Sequence, residues 1–182
     1  MDNSKHCKIH RESEPVKYIT AITFNNTEVL KLTIAALENQ YSRVDVKSPP
    51  FKFDHTQYYK KEMGSQLMKQ FFSFVNLDKK ENLVHWKLFA LELENQYAIA
   101  GKRQVNIDPA YLELAKLVVS SSKNFDHRIY LGQGIYGDVQ LRYRNRQFVT
   151  NDWTYPDYCS AIVINFVKKV RNIYFQQLKQ LK

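Results

Sequence analysis

The sequence predicts an α+β fold. It reads as a mainly antiparallel sheet with a ferredoxin-like βαββαβ start, extended by a C-terminal β-hairpin and followed by a terminal helix. Three observations lead there. Strand-like and helix-like segments alternate in the order β-α-β-β-α-β over the first hundred or so residues. A glycine pair, Gly132 and Gly134, then separates two β-rich runs, as a hairpin turn does. The C-terminal segment carries apolar residues at spacings of three and four.

Val16 to Phe24 (VKYITAITF) is β-rich and alternating, so it is the first strand. Asn25 followed by Glu28 forms a capping box for a helix over 27–41, whose buried stripe is Leu30, Ile34, Leu37 and Tyr41. Arg43 to Lys47 is a strand, halted by Pro49-Pro50, and Phe51 to Phe53 resumes extended structure. Residues 54–65 form a polar aromatic loop or short helix ending at Gly64. Gln70 to Leu77 is a strand and Lys79 to Asn82 a turn. Leu83 to Ala100 is mostly helix, on the spacing of Trp86, Phe89, Leu93 and Tyr97, with Gly101 as its stop. Gln104 to Ile107 is a short strand ended by Asp108-Pro109. Lys116 to Ser121 is a further strand. His127 to Leu131 and Ile135 to Tyr143 make the hairpin, with Gln147 to Thr150 extending it. After a loop over 151–159, a helix from Ser160 to about Leu181 turns Val163, Val167, Val170, Tyr174, Leu178 and Leu181 inward.

These elements make one domain over 15–182, preceded by a polar tail over 1–14, within a chain long enough to bury a core without disulfides or metal. Apolar residues at 44% and aromatics at 14% exclude a disordered chain, and five Gly with five Pro exclude collagen-like architecture. Cys7 and Cys159 are far apart and belong to no spaced framework, which predicts reduced thiols and a cytoplasmic protein. No apolar run approaches the roughly 20 residues of a membrane-spanning helix. His6, Cys7 and His10 lie close together in the tail, with no partner cluster at metal-finger spacing. The charge is +9, which favours anionic partners. Two clusters account for most of it: Lys168, Lys169, Arg171, Lys179 and Lys182 at the C-terminus, and Arg142, Arg144 and Arg146 before it.

Residues 132–139 fit G-x-G-x-x-G-x-V, the phosphate-covering loop of protein kinases. A kinase also needs H-R-D and D-F-G segments, and neither occurs. No helix opens after the glycines, so a dinucleotide fingerprint fails as well. Gly132 and Gly134 are instead expected to supply positive φ in a tight turn. The sequence also lacks the G-x-x-x-x-G-K-[ST], G-x-S-x-G, H-E-x-x-H and C-x-x-C patterns.

A dispersed polar set remains. Asp54, His55, Tyr58, Tyr59 and Glu62 form one group; Arg103, Asp108 and Tyr111 surround the fourth strand; Lys116, Lys123, His127 and Arg128 lie on the next strands; Trp153, Tyr155, Asp157 and Tyr158 fill the last loop. Aromatics mixed with both signs of charge on loops are typical of a binding site. Lys123, His127 and Arg128 suit a phosphate or carboxylate through charge-assisted hydrogen bonds. Glu62, Asp108 or Asp138 suit a base or a Mg²⁺ ligand. Tyr and Trp faces suit stacking on a nucleobase. The expected partner is an anionic small molecule such as a nucleotide. RNA is the alternative, through the two basic clusters and a sheet with exposed aromatics, and a third possibility is an interaction protein whose terminal helix pairs in trans. No cofactor, oligomeric state or reaction is assigned.

Four stretches, FDHTQYYKKEMG (53–64), VNIDPAYLELAKLV (105–118), HRIYLGQGIYGDVQLRY (127–143) and WTYPDY (153–158), resemble the domain-of-unknown-function family 4416. The resemblance runs from about Pro15 to near the C-terminus and implies a compact, single-domain cytosolic protein. It carries no catalytic assignment. That family more often has Ala at the position of Gly137, which makes the third glycine look incidental.

Overall fold

The computed structural model describes residues 13–54 and 60–181. Nine strands form a single sheet: β1 (Val16–Phe24), β2 (Val44–Lys47), β3 (Phe51–Lys52), β4 (Met68–Asp78), β5 (Val105–Leu112), β6 (Lys116–Ser121), β7 (Arg128–Gly132), β8 (Ile135–Arg144) and β9 (Gln147–Thr150). Three long helices, α1 (Thr27–Gln40), α3 (Leu83–Gln96) and α4 (Ala161–Gln180), pack on it, and α2 (Lys60–Met63) is a single turn. The strand order is β2-β4-β1-β5-β6-β8-β7, with β3 beside β4 and β9 beside β8, and every pairing is antiparallel. The run β2-β4-β1-β5, with α1 and α3 as its crossovers, is the ferredoxin-like start. The remaining strands extend it as a meander.

Helices cover both faces. On one, Leu37 of α1 and Leu83, Trp86, Ala90 and Leu93 of α3 meet Tyr18, Ile22, Phe24, Phe72, Phe74 and Ile107. On the other, Val163, Phe166, Val167 and Val170 of α4 meet Ile19, Ala21, Phe71, Ala110, Leu117 and Leu141. Every residue of β1 is therefore buried, which its mostly β-branched and aromatic sequence suits, and its one charged residue, Lys17, is paired with Asp45. The sheet face that an open ferredoxin-like unit would present to a nucleic acid is here covered by α4.

Several boundaries differ from expectation. Asn26, not Asn25, caps α1, its Oδ1 accepting from the Glu28 N–H at 2.8 Å; Asn25 instead donates through Nδ2 to the Met63 carbonyl. Helix α3 stops at Gln96, and Gly101 sits in a tight turn between Ile99 and Lys102 rather than at the helix end. The hairpin strand β7 begins at Arg128, one residue after His127. Leu181 is 65% exposed, because it is the C-cap that follows the last residue of the terminal helix rather than part of its buried face. Gly132 and Gly134 do hold positive φ, +113° and +75°. Gly137 is less incidental: a Cβ there would lie 3.2 Å from Leu131 Cδ1, so its absence lets Leu131 lie flat against β8.

The correction that matters most for function is β5. It does not end at Asp108-Pro109 but runs through Pro109 to Leu112. It pairs with β1 along its whole length, from Val105 to Leu112, but with β6 only from Ala110 to Leu112. Pro109 stands where the β6 ladder stops. With no N–H to give, it cannot continue that ladder. Below it the two strands part. Among the described residues, no helix is long and apolar enough to cross a membrane.

Candidate functional site

A cavity of about 430 Å³ lies at the opening between β5 and β6. The parting of the strands leaves backbone groups of β5 without ladder partners, and α3 supplies substitutes. Glu94 Oε1 accepts from the Ile107 N–H at 2.6 Å, and Lys87 Nζ donates to the Ile107 carbonyl at 2.8 Å. The Ser120 hydroxyl donates to the Pro109 carbonyl at 2.7 Å. Lys87, Leu91 and Glu94 share one face of α3, at i, i+4 and i+7, so the helix presents a polar end to the gap beside its apolar stripe.

Around these, one wall is an acid–base network. Arg103 grips Glu62 with two parallel hydrogen bonds of 2.7 Å and reaches Glu94 Oε2 at 3.2 Å and Asn106 Oδ1 at 3.1 Å. Asn106 in turn donates to Asp108 at 2.8 Å, and the Lys87 ammonium lies 3.4 Å from the other Asp108 oxygen. The Arg103 hydrogen bonds hold the Glu62 carboxyl below its ordinary value. Burial pushes the Glu94 carboxyl up, against the nearby Lys87 charge and the Ile107 N–H. A carboxyl raised by burial at a cavity wall is suited to proton transfer.

The opposite wall is built on Asp138, which is fully buried in β8. Its Oδ2 accepts from Arg128 Nε at 2.9 Å and lies 3.3 Å from His127 Nε2, while its Oδ1 accepts from Gln140 Nε2 at 2.8 Å. Arg128 is thereby held rigid, with Nη1 donating to Ser121 Oγ and the Lys123 carbonyl and Nη2 to the Tyr155 hydroxyl at 2.6 Å. Burial pushes the Tyr155 phenol up to about 12. Asp138 is thus an anchor for Arg128 rather than a base open to a ligand. Lys69 also faces the cavity. Its buried ammonium meets Asp157 at 2.7 Å and lies 4.8 to 5.7 Å from the ring centres of Phe53, Tyr158 and Phe71.

Of the residues singled out from the sequence, Arg103, Asp108, Lys123, Arg128, Tyr155 and Asp157 line this cavity. Glu62 joins it through Arg103, and Tyr158 is buried behind Lys69. His127 and Trp153 stand beside it: the His127 ring shares Asp138 with Arg128 and stacks on Trp153 at 5.0 Å. Asp54 is exposed and outside the lining. Tyr111 packs with the core under α3, and Lys116 pairs with Glu113 at 2.9 Å, so neither belongs to the site. His55, Tyr58, Tyr59 and the tail group His6, Cys7 and His10 lie outside the described residues. Sequence reasoning missed Lys69, Lys87, Glu94, Asn106 and Ser120. Their signal was a charge or polar group at an inward position of an otherwise apolar strand or helix face.

A family model for a domain of unknown function, DUF4416, matches residues 14–174. The chain belongs to the DUF4416 family. The match spans all nine strands, so the cavity and both of its walls belong to the family domain. No curated protein and no solved structure matches the chain. The basic clusters of this DUF4416 protein do not form one surface. Leu141 and Tyr143 face α4, so the alternating, exposed Arg142 and Arg144 face the other side of the sheet, away from Lys168 and Lys169. Among the described residues, no group of three His, Cys, Asp or Glu side chains is placed to hold a metal ion.

Proposed function

We propose that the cavity between β5 and β6 binds a small phosphate-bearing molecule, with a mononucleotide as the form that best uses it. One observation carries the reading: Lys69, Lys87, Arg103, Lys123 and Arg128 converge on a single cavity from separate parts of the chain, against Glu94, Asp108 and Asp157 on the same lining. Lys69, Lys87, Arg103 and Arg128 are buried or mostly so, which is costly in free energy unless partners on the protein or a ligand satisfy them. A volume of about 430 Å³ is within the range of small-molecule sites. The exposed Trp153 ring, stacked on His127 beside Arg128, offers an aromatic surface of the kind that takes a base. The reading assigns binding, not a reaction.

The test is calorimetric titration and thermal shift with GTP, ATP, other mononucleotides and inorganic phosphate, each with and without Mg²⁺. A ligand that binds only the folded chain raises the melting temperature by mass action. At least one nucleotide is expected to bind, and Lys123→Ala combined with His127→Ala to weaken it tenfold or more. Wild-type affinity in that double variant removes the anion contact, and no response to any of these ligands removes the reading. A short single-stranded RNA serves as a further arm. Binding of RNA alone, lost at high salt, transfers the function to the nucleic-acid alternative.

A further inference from the structure

The strongest unexplained surface lies at the far edge of the sheet, away from the ferredoxin-like start. No strand pairs with the outer side of β7 among the described residues. Ile129, Tyr130 and Leu131 are consecutive on it and 68%, 60% and 42% exposed. Phe125 and Trp153, also exposed, both pack against the His127 ring just before the strand. Half of the exposed large hydrophobics among the described residues therefore lie on or beside this edge. Natural sheets guard their edges with charges, prolines or covering segments. The opposite edge obeys that rule, with the exposed Lys47 on β2 and Pro49-Pro50 leading into β3. β7 has milder guards, a bulge between Tyr130 and Gly132 and the inward-turned Arg128, and still leaves Ile129, Tyr130 and Leu131 exposed.

We infer that β7 is a self-association edge, and that its occupant is β7 of a second copy of this chain. Three features favour a copy over another partner. The outer side of β7 is neutral, so two copies of a chain carrying +9 can meet there without opposing like charges. The edge is self-complementary. Antiparallel pairing about a two-fold axis at Tyr130 sets Tyr130 against Tyr130 of the other copy and Ile129 against its Leu131. Ile129 and Leu131 share a face, since both lie over Gly137, so four aliphatic side chains would close together on that face. The exposed patch is also centred on that axis: Tyr130 is the middle residue of β7, and Ile129 and Leu131 flank it, all three exposed. The guarded opposite edge prevents open-ended growth, so the assembly closes as a dimer of one continuous sheet.

Light scattering coupled to gel filtration, from micromolar to several hundred micromolar protein, tests this. The expected particle has twice the 21.6 kDa chain mass, and Tyr130→Lys is expected to return it to a monomer with an unchanged circular dichroism spectrum. A wild-type chain that stays monomeric throughout overturns the inference. So does a dimer that survives Tyr130→Lys. A second variant covers the case in which that substitution disturbs folding. Tyr130→Cys, in a background with Cys7 and Cys159 changed to Ser, is expected to cross-link to its own copy on mild oxidation. Directly paired residues on antiparallel strands lie within disulfide reach. Failure to cross-link while the protein remains dimeric overturns the two-fold register. The outcome is independent of the ligand titrations, since no residue varied here lines the cavity.

Discussion

The two sides of β5 are made from the same backbone and meet opposite fates. Toward β1, all eight residues are in register, from Lys17 opposite Leu112 to Phe24 opposite Val105. Toward β6, the register ends at Ala110, and side chains of α3 and the Ser120 hydroxyl take over the backbone groups beyond it. On the closed side the ladder itself satisfies the backbone groups, and no side chain has to substitute for it. The open side has buried backbone groups that must be satisfied, which draws Lys87 and Glu94 into the gap, and each charge then requires a partner of its own. A break in a ladder thus becomes a lined cavity through electrostatic neutralisation, one pair after another.

The sharpest way to break that contrast is to remove an anchor from the open side. Asp138→Ala strips the partner from Arg128 and frees Gln140, leaving a buried cation uncompensated. The expected loss is about 3–5 kcal/mol of unfolding free energy. Ile22→Val on the closed side removes one buried methyl group opposite Ile107 and is expected to cost about 0.5–1.5 kcal/mol. Chemical denaturation of the two variants measures both. Equal losses would mean that the open-side network carries no more than ordinary packing.

That asymmetry also marks what could be seen in the sequence. The helices α1 and α4, the strand β1 and the β7–β8 hairpin follow from periodicity and from Gly132 and Gly134, because one local pattern decides each of them. The open side does not follow. Pro109 reads as a strand end, since proline is normally excluded from a central strand, yet here its missing N–H falls on the unpaired side. Lys69 between Met68 and Gln70, and Lys87 beside Trp86, sit at inward positions of apolar faces, but only the tertiary structure supplies the partners that let them be buried there. Arg103, Asp108, Arg128, Tyr155 and Asp157 were legible as residue types, but their meeting at one cavity depends on strand order, which no single segment encodes.

The Glu62–Arg103 pair gives the comparison a dependence on pH. Its hydrogen bonds lower the Glu62 carboxyl in the folded chain relative to the ordinary value of 4.5. A group depressed in this way contributes stability above its unfolded pKa and loses it as pH falls through the folded one. The melting temperature of the wild-type chain should therefore drop as the solution is acidified below about 4.5, partly on this account. Glu62→Gln should start lower at pH 7 and drop less steeply across the same window. Parallel melting curves for the two proteins would show that the pair is too solvated to matter, consistent with the partial exposure of both side chains.

Pro109 sets the smallest and most specific expectation. Pro109→Val keeps a residue suited to β structure and restores the missing N–H on the side toward β6. Stability should change by less than about 1 kcal/mol, because a new ladder bond is offset by the freedom the valine regains in the unfolded chain. The effect should appear instead at the cavity. A ladder extended past Ala110 draws β6 toward β5, displaces the Ser120 hydroxyl from the 109 carbonyl and narrows the gap that Lys87 and Glu94 fill. Hydrogen exchange should then show new protection at residue 109, and any ligand found in the titrations should bind more weakly. Undiminished binding alongside that protection would place the ligand outside the opening between β5 and β6.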